Sequence, residues 1–183
     1  MSFPVLLSHL YSGGVQDAQA KAFLMPLNSA MSEFGIVTGE RPAAFLAQTI
    51  YESAGFRLLS ELWGPTEQQR KYDDGGPLAQ RLGNPPGTGR LYRGYGLIQV
   101  TGLFNLQAEG QYFGKSVPEV IAWLQTPTGA CRASAHWWRG HGCNELADAF
   151  DVVGLTRKIN GGTNGLEQRT QLYRKISEAM NGS

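Results

Sequence analysis

The sequence predicts a mainly α fold that is interrupted by one long irregular segment. Apolar residues recur at helical spacing early in the chain and again in its second half, which favours α-helices. No alternating pattern is long enough to build a sheet-based core. Between Trp63 and Tyr95, glycine and proline clusters leave room only for short strands or turns. An irregular segment of that length in a compact domain is usually functional or disordered.

The helices are predicted from periodicity and from residues that start or stop a helix. The first spans about residues 15–34 and ends before Gly35, and the second spans about 42–54, with Pro42 in its first turn. After the irregular segment, Ser116 and Glu119 form a capping-box pattern ahead of an apolar run. Three more helices are expected at about 129–139, 145–159 and 165–180, separated by glycine and asparagine clusters.

Length, composition and charge indicate a single domain spanning residues 1–183. A chain of 183 residues with 42% hydrophobic residues can bury one substantial core. Its 16 Lys and Arg against 15 Asp and Glu give a net charge of +1, so no global field draws it to nucleic acid or to an anionic membrane. We therefore expect one site, recognition by local chemistry, and no nucleic-acid partner.

The N-terminal residues and the cysteines set expectations about the compartment. The start of the chain lacks basic residues, and Pro4 and His9 interrupt its apolar run, which argues against a secretory signal peptide. No segment reaches the roughly 20 apolar residues of a membrane span, so stable membrane insertion is not expected. Cys131 and Cys143 have no paired spacing or neighbouring ligands, which predicts two free thiols.

Glu52 breaks the pattern of the second helix. Leu46 and Ile50 belong to one face of that helix, whereas Gln48 and Glu52 share the opposite face. Glu52 is the only charge in residues 42–56, although a solvated face normally carries several. We expect this carboxylate to lie against protein or in a cleft, where desolvation would raise its pKa, as a general acid at neutral pH requires. The alternative is a partly exposed glutamate near a helix end.

Glu61 supplies a second carboxylate shortly after the predicted end of that helix. The chain could turn there and bring Glu61 back over the same cleft as Glu52. Two carboxylates flanking a groove are the minimal apparatus of glycoside hydrolysis, because one protonates the leaving oxygen and the other activates water or attacks the sugar. The spacing alone also fits an ordinary surface glutamate.

Polar side chains alternate with apolar ones from Leu97 onward, which predicts a short strand. Gln99 and Thr101 would lie on one side of it, with Ile98 and Val100 on the other. Amide and hydroxyl groups can bind sugar hydroxyls or hold a water molecule without adding a titrating group. The alternative is a polar outer face on a structural strand.

Arg169 lies in an otherwise apolar helical stripe, so its burial would need a partner. The candidates are the cleft carboxylates or a structural acid such as Asp151.

The remaining polar features favour structural interpretations. The turn at 159–165 reads as a helix end followed by a helix start rather than as a phosphate loop. Trp63 could stack on a sugar ring. The three histidines lack partners at metal-ligand spacing, so neither a metal nor a cofactor is expected.

Three motifs, in order along residues 40–180, resemble the family 19 glycoside hydrolases, a chitinase-like group that includes many phage endolysins. The first is Tyr51-Glu-Ser-Ala-Gly-Phe56, where the family commonly has His before the glutamate. The second, and the most specific, starts Tyr92-Arg-Gly-Tyr-Gly-Leu-Ile-Gln-Val-Thr-Gly, with Tyr95 in place of the family's second Arg. The third joins Lys158-Ile-Asn-Gly-Gly162 to Arg169.

The resemblance implies roles for named residues. Glu52 would be the general acid, Glu61 the general base of an inverting mechanism, and Thr101 would help hold the attacking water. Substrate-binding or cleft roles fall to the remaining matched residues and to the tryptophan of the irregular segment: Gln99, Asn105, Asn160, Arg169 and Trp63. The fold implied is lysozyme-like α+β, with a small β-hairpin or irregular lobe at about 61–100 beside a catalytic cleft formed by residues from about 45 to 170.

The function that we expect is hydrolysis of β-1,4 bonds in bacterial peptidoglycan glycan strands by a monomeric phage or prophage lysis enzyme. Such an enzyme stays in the cytoplasm of the infected host until it is released to the cell wall, with a holin as a partner for export. One alternative keeps the chemistry but changes the polymer to chitin. Another is a wall-binding module without catalysis, which we consider because Tyr51 stands where the family commonly has His.

Overall fold

The computed structural model describes residues 5–182, and within that range the chain forms eleven helices and no strands. The prediction of a mainly α fold is therefore confirmed. No helix in the described range is long and apolar enough to cross a membrane. In chain order the helices are α1 Leu7–Ser12, α2 Asp17–Glu33, α3 Arg41–Glu52, α4 Glu67–Arg70, α5 Pro77–Leu82, α6 Leu103–Phe113, α7 Val117–Leu124, α8 Pro127–Gly140, α9 Cys143–Asp148, α10 Val152–Asn160 and α11 Leu166–Asn181.

Helix α3 lies at the centre of the main core. It begins with Pro42 in its first turn, and every residue from Pro42 to Ile50 is buried. It packs against α9, α10 and α11, while α2 packs against α8. The Phe45 ring contacts Trp138 edge-on, with 5.3 Å between ring centroids. Because both faces of α3 are covered, only its two ends, at Arg41 and at Tyr51 and Glu52, are partly exposed.

Most predicted helices after the irregular segment are present, but one is divided. Ser116 starts α7 as expected, and its backbone N–H donates to the Glu119 carboxylate at 2.8 Å. The predicted helix at 145–159 is two helices, α9 and α10. The backbone takes a left-handed φ of 56° at Phe150, and the Asp151 side chain then caps α10 by accepting the N–H of Gly154 at 2.7 Å. Asp151 is thus a helix cap rather than a partner of Arg169.

The middle segment contains two short helices, and the predicted β-hairpin is absent from residues 5–182. Helix α4 follows a Thr66 capping box, and α5 lies between Pro77 and the left-handed Gly83. The extended pairing is limited to two isolated bridges, Ser60 with Tyr95 and Tyr95 with Val100. Each helix is too short to show a periodic apolar pattern.

The strand predicted from Leu97 onward is also wrong, because these residues form a tight turn. The backbone φ is 82° at Gly96 and 59° at Gln99, so the chain reverses and Val100 pairs with Tyr95 through hydrogen bonds of 2.8 and 3.1 Å. Helix α6 starts soon after, which places Asn105 on a helix. A second apolar cluster joins this turn to α6, α7 and α8 and holds it in place: Tyr95, Val100, Leu106, Val120, Leu124 and Ala133.

Both cysteines are free thiols, as predicted, and both are buried. Burial raises the pKa of the Cys131 thiol well above its usual range and that of Cys143 to about 12. The two thiols are therefore uncharged packing groups at neutral pH.

Candidate active site

A cleft of about 670 Å³ contains both of the glutamates singled out by the sequence. It lies where the end of α3, the segment after it, the turn at 96–101 and the end of α10 meet. Its walls are Glu52, Leu58, Ser60, Glu61, Leu62, Thr66, Gln69, Tyr72, Ile98, Gln99, Thr101, Ile159 and Asn160. The lining has two carboxyl groups, Glu52 and Glu61, and burial together with the Glu61 charge raises the pKa of Tyr72.

Glu52 ends α3 and is held from one side by a buried arginine. Its side chain is 19% exposed, and its Oε1 atom accepts a hydrogen bond from Nη2 of Arg169, whose side chain is 0% exposed. The contacts among the described residues use Oε1, which leaves Oε2 for a group in the cleft. The arginine therefore sets the direction of this carboxyl group.

Arg169, on α11, binds both α3 and the turn before α11. Its Nη1 donates to Oε1 of Gln48, one turn before Glu52 on α3, and its Nε donates to the Asn164 carbonyl at 3.3 Å. The guanidinium lies over the Tyr51 ring, 4.3 Å from its centroid. Of the partners that the sequence left open, the structure selects Glu52. Because Arg169 is fully buried, it holds Glu52 and does not line the cleft.

Glu61 is held by uncharged donors. Its Oε1 accepts from Nε2 of Gln69 at 2.9 Å and its Oε2 from the backbone N–H of Gly94 at 3.2 Å. Gly94 also accepts the Glu61 backbone N–H at 2.8 Å, which fixes the backbone beside the side chain. Each carboxylate oxygen keeps a second lone pair, so a water molecule in the cleft could donate a hydrogen bond to either one.

Gln69 shows how the short helix α4 positions Glu61. The same side chain closes the capping box, since its Oε1 accepts the N–H of Thr66 at 2.9 Å, while its Nε2 donates to Glu61. Gln69 is buried, at 4% exposure. The start of α4 and the orientation of the second carboxylate therefore depend on one amide.

Three of the uncharged candidates line the cleft, namely Gln99, Thr101 and Asn160. The Thr101 hydroxyl donates to the Gln99 carbonyl at 3.0 Å, within the tight turn. With its proton used in this way, the Thr101 oxygen presents lone pairs as an acceptor. Gln99 and Thr101 thus share the cleft as expected, although a turn and not a strand brings them there.

Two other candidates lie outside this lining. Asn105 is exposed on α6 and donates to the Thr101 carbonyl at 2.7 Å, so it contacts the turn from its far side. The Trp63 ring lies 6.3 Å from Tyr72, centroid to centroid, and Tyr72 is the aromatic residue that lines the cleft. Tyr72, and not Trp63, therefore presents its ring to the cleft.

The structure adds residues that the sequence analysis did not select. Gln48 and Gln69 orient the two glutamates, and neither carries a local signal beyond being a polar residue in an apolar or irregular setting. Tyr51 supports Arg169, although the sequence marks it only as a departure from the family motif. Tyr95, the other departure, is 2% exposed and packs in the second apolar cluster, with its hydroxyl donating to the Leu91 carbonyl at 2.9 Å.

Gly165, at the start of α11, is expected to be intolerant of a side chain. Its φ is 70°, and an added Cβ would overlap the Tyr51 hydroxyl. Gly161 is a matched control, since its φ is 77° but nothing lies within 4 Å of an added Cβ. Gly161→Ala should cost about 1–2 kcal/mol for the left-handed backbone. Gly165→Ala should lower the free energy of unfolding by roughly 1–3 kcal/mol more than Gly161→Ala, because the new Cβ overlaps Tyr51. Urea denaturation of both variants measures the difference. Equal losses would contradict the close approach of Tyr51.

Taken together, the arrangement can perform acid–base chemistry on a polar, uncharged substrate. It offers one carboxyl group directed by a cation, one carboxylate held by neutral donors, and amide and hydroxyl groups in the same lining. This is the site of a carboxylate-dependent hydrolase of the glycosidase class.

Comparison with known proteins identifies the family. No family model matches the chain. It is 33% identical to a glycosyl hydrolase family 19 domain-containing protein of Haemophilus influenzae over 198 aligned positions, which cover 94% of this chain and 96% of the relative. An endochitinase of Arabidopsis thaliana is 28% identical over 145 positions, covering 78% of this chain but only 47% of the plant protein.

The fold has a solved counterpart as well. Chitinase C from Streptomyces griseus superposes with a TM-score of 0.74 at 19% identity, covering 99% of this chain and 78% of the chitinase chain. The chain therefore belongs to glycosyl hydrolase family 19, and it is a chitinase-like glycoside hydrolase with a mainly α, chitinase C-like fold.

Proposed function

We propose that the chain hydrolyses β-1,4 glycosidic bonds in bacterial peptidoglycan by an inverting mechanism, with Glu52 as general acid and Glu61 as general base. The observation that carries this proposal is the pair of differently held carboxylates on one cleft. No cofactor takes part. Two carboxyl groups suffice, because one protonates the leaving oxygen while the other deprotonates the water that attacks from the opposite face of the sugar.

Glu52 acts from its Oε2 atom. Since Oε1 is occupied by Arg169, the transferable proton resides on Oε2 and is passed to the glycosidic oxygen as the bond to the anomeric carbon breaks. Gln48 and Tyr51 keep Arg169, and through it the acid, in one orientation. A proton donor that is already held in one orientation raises the rate, because little entropy is lost when it is aligned with the substrate.

Glu61 and Thr101 orient the attacking water. A water molecule that donates one proton to the Glu61 carboxylate and the other to the Thr101 oxygen turns a lone pair towards the anomeric carbon. Thr101 is available as an acceptor because its own proton is donated to the Gln99 carbonyl. Glu61 then takes up the proton that the water loses during attack, and the anomeric configuration inverts.

Substrate contacts come from the uncharged part of the cleft. Gln99 and Asn160 supply amides for sugar hydroxyl and acetamido groups, and Tyr72 supplies a flat ring. Asn105 and Trp63 act indirectly in this proposal, through the Thr101 backbone and the Tyr72 ring. Arg169 acts through Glu52.

Peptidoglycan is the preferred polymer because the bacterial relative matches over nearly its whole length, whereas the chain spans about half of the plant endochitinases. The setting that we propose is a monomeric, endolysin-type enzyme of a phage or prophage, which is held in the host cytoplasm and reaches the wall through a holin. Chitin is the second candidate, which the likeness to endochitinases and to chitinase C favours.

The test is the digestion of purified sacculi and of chitin oligomers, with the new ends identified by mass spectrometry. Reducing N-acetylmuramic acid ends from sacculi support the proposal. Soluble products from chitin alone would establish the second candidate, and anhydro ends or cleaved peptides would refute hydrolysis of the glycosidic bond. Pelleting with sacculi without any product would instead indicate a wall-binding module.

A further inference from the structure

A cavity of about 310 Å³ lies against the end of α3, and it shares no lining residue with the catalytic cleft. At two points, however, consecutive residues line first the cavity and then the cleft, namely Tyr51 with Glu52 and Arg57 with Leu58. Consecutive Cα atoms are about 3.8 Å apart, so the cavity lies beside the cleft on the surface of the protein. The rest of its lining is Gly13, Gly14, Gln16, Ile50, Ala54, Gly55 and Leu172.

This cavity contains a cation that no acid of the described chain neutralises. Arg57 is the one charged residue among the described residues of the lining. Its Nε donates to the Ala54 carbonyl at 2.8 Å, which orients the guanidinium, and no ion pair within residues 5–182 involves it. Both terminal nitrogens, Nη1 and Nη2, are therefore open to a ligand. Two such nitrogens side by side match the two oxygens of a carboxylate.

The uncharged part of the lining leaves room for a ligand and offers it hydrogen bonds. An added Cβ at Gly14 or at Gly55 would meet no atom within 4 Å, so the space in front of both glycines is open. Gln16 directly precedes α2, but its side chain does not cap that helix, so its amide is available to a ligand. A side-chain amide can donate to and accept from peptide groups. The lining therefore suits an anionic ligand that also carries peptide groups.

We propose that this cavity binds a carboxylate of the stem peptide, the short peptide attached to N-acetylmuramic acid, with Arg57 as its ion-pair partner. The proposal rests on the proposed function, because it requires a peptidoglycan strand in the cleft. An extended peptide spans about 3.3–3.6 Å per residue, so three residues reach roughly 10 Å from a sugar in the cleft, across its rim at Leu58. Chitin carries no carboxylate, so Arg57 favours peptidoglycan over chitin.

The kinetic test compares Arg57→Gln with wild type on glycan strands that carry their stem peptides and on the same strands freed of them. We expect KM to rise about 5-fold on the peptide-bearing strands, because a charge-assisted hydrogen bond is lost, and kcat to change little. Arg57→Lys should be intermediate, since an ammonium keeps the charge but cannot bind a carboxylate bidentately. Both variants should match wild type on the stripped strands.

Arg139→Gln is the matched control for this test. It removes the same charge from an exposed residue in the last turn of α8, outside the linings of both the cavity and the cleft. It should match wild type on both substrates. An unchanged KM of Arg57→Gln on peptide-bearing strands would overturn the proposal. An equal rise on stripped strands would overturn the stem-peptide assignment in favour of the lactyl carboxylate that remains on the sugar.

Direct binding separates this proposal from the proposed function. The probe is an N-acetylmuramyl peptide, which has a single sugar and so no bond between sugars to hydrolyse, and NMR titration measures its affinity for wild type and Arg57→Gln. About 5-fold weaker binding by Arg57→Gln supports the carboxylate site even if the reaction assigned above is wrong. The difference should shrink at about 1 M salt, where the screening length is about 3 Å. Equal affinities at low salt would overturn the site and leave the proposed hydrolysis standing.

Discussion

Replacing Glu52 by glutamine is expected to lower kcat on peptidoglycan by about 10³-fold, within the range that a general acid contributes. Glutamine keeps an oxygen that can accept from Arg169 but cannot donate an acidic proton to the leaving sugar oxygen. KM should change little, because the walls of the cleft remain in place. The measurement is the initial rate of release of reducing ends from purified sacculi, with thermal unfolding recorded in parallel.

Two further variants show whether the loss of kcat in Glu52→Gln comes from the chemical step. Glu61→Gln should also lower kcat strongly, because an amide cannot take up the proton of the attacking water. Glu67→Gln is a matched control, since Glu67 is an exposed residue in the first turn of α4 and lies outside the cleft lining. It should retain wild-type activity. More than a tenth of the wild-type kcat in Glu52→Gln would contradict its role as the acid.

Replacing Arg169 by methionine is expected to lower the free energy of unfolding by about 3 kcal/mol. Breaking a buried ion pair by removing one partner costs roughly 3–5 kcal/mol, and the 19% exposure of Glu52 places this pair at the lower end. The change also leaves Oε1 of Gln48, which is 1% exposed, without its donor. Urea denaturation measures the loss directly, and Tm should fall by about 6–12 °C.

The pairing between Arg169 and Glu52 can be isolated with a double-mutant cycle. In Arg169→Met combined with Glu52→Gln, no unpaired charge remains, so the double variant should lose less stability than the sum of the single variants, by about 1–3 kcal/mol. Arg169→Lys keeps the charge but cannot hold Glu52, Gln48 and the Asn164 carbonyl together, so it should be intermediate. Additive effects would show that the two side chains do not depend on each other.

Several features of the site could be predicted because their signals are local. Glu52 is the only charge in residues 42–56, and that alone predicted its place at a protein wall or a cleft. The order of the three motifs predicted the family. Helices with clear start or stop signals lie where they were expected: α3 is close to its predicted bounds, and α7 starts directly after Ser116. In each case, the information resides in neighbouring residues or in a single helical period.

The middle segment shows where local patterns fail. Helices α4 and α5 have four and six residues, so neither displays a full amphipathic repeat, although Pro77 and Gly83 were valid start and stop signals for α5. The alternation at 97–101 predicted a strand, but left-handed backbone at Gly96 and Gln99 reverses the chain. A polar alternation cannot distinguish an extended segment from a turn that is held by packing beneath it.

By itself, the sequence determined the mainly α class, the glycosidase family and the identity of the two glutamates. Only the tertiary structure decided how those glutamates are held. Arg169 binds Glu52, 117 positions away in the sequence, and not Asp151. Gln69 binds Glu61 because the four-residue helix α4 places its side chain beside that carboxylate. The physical reason is that periodicity records which side of an element is buried, whereas the partner of a buried charge depends on how separate elements pack together.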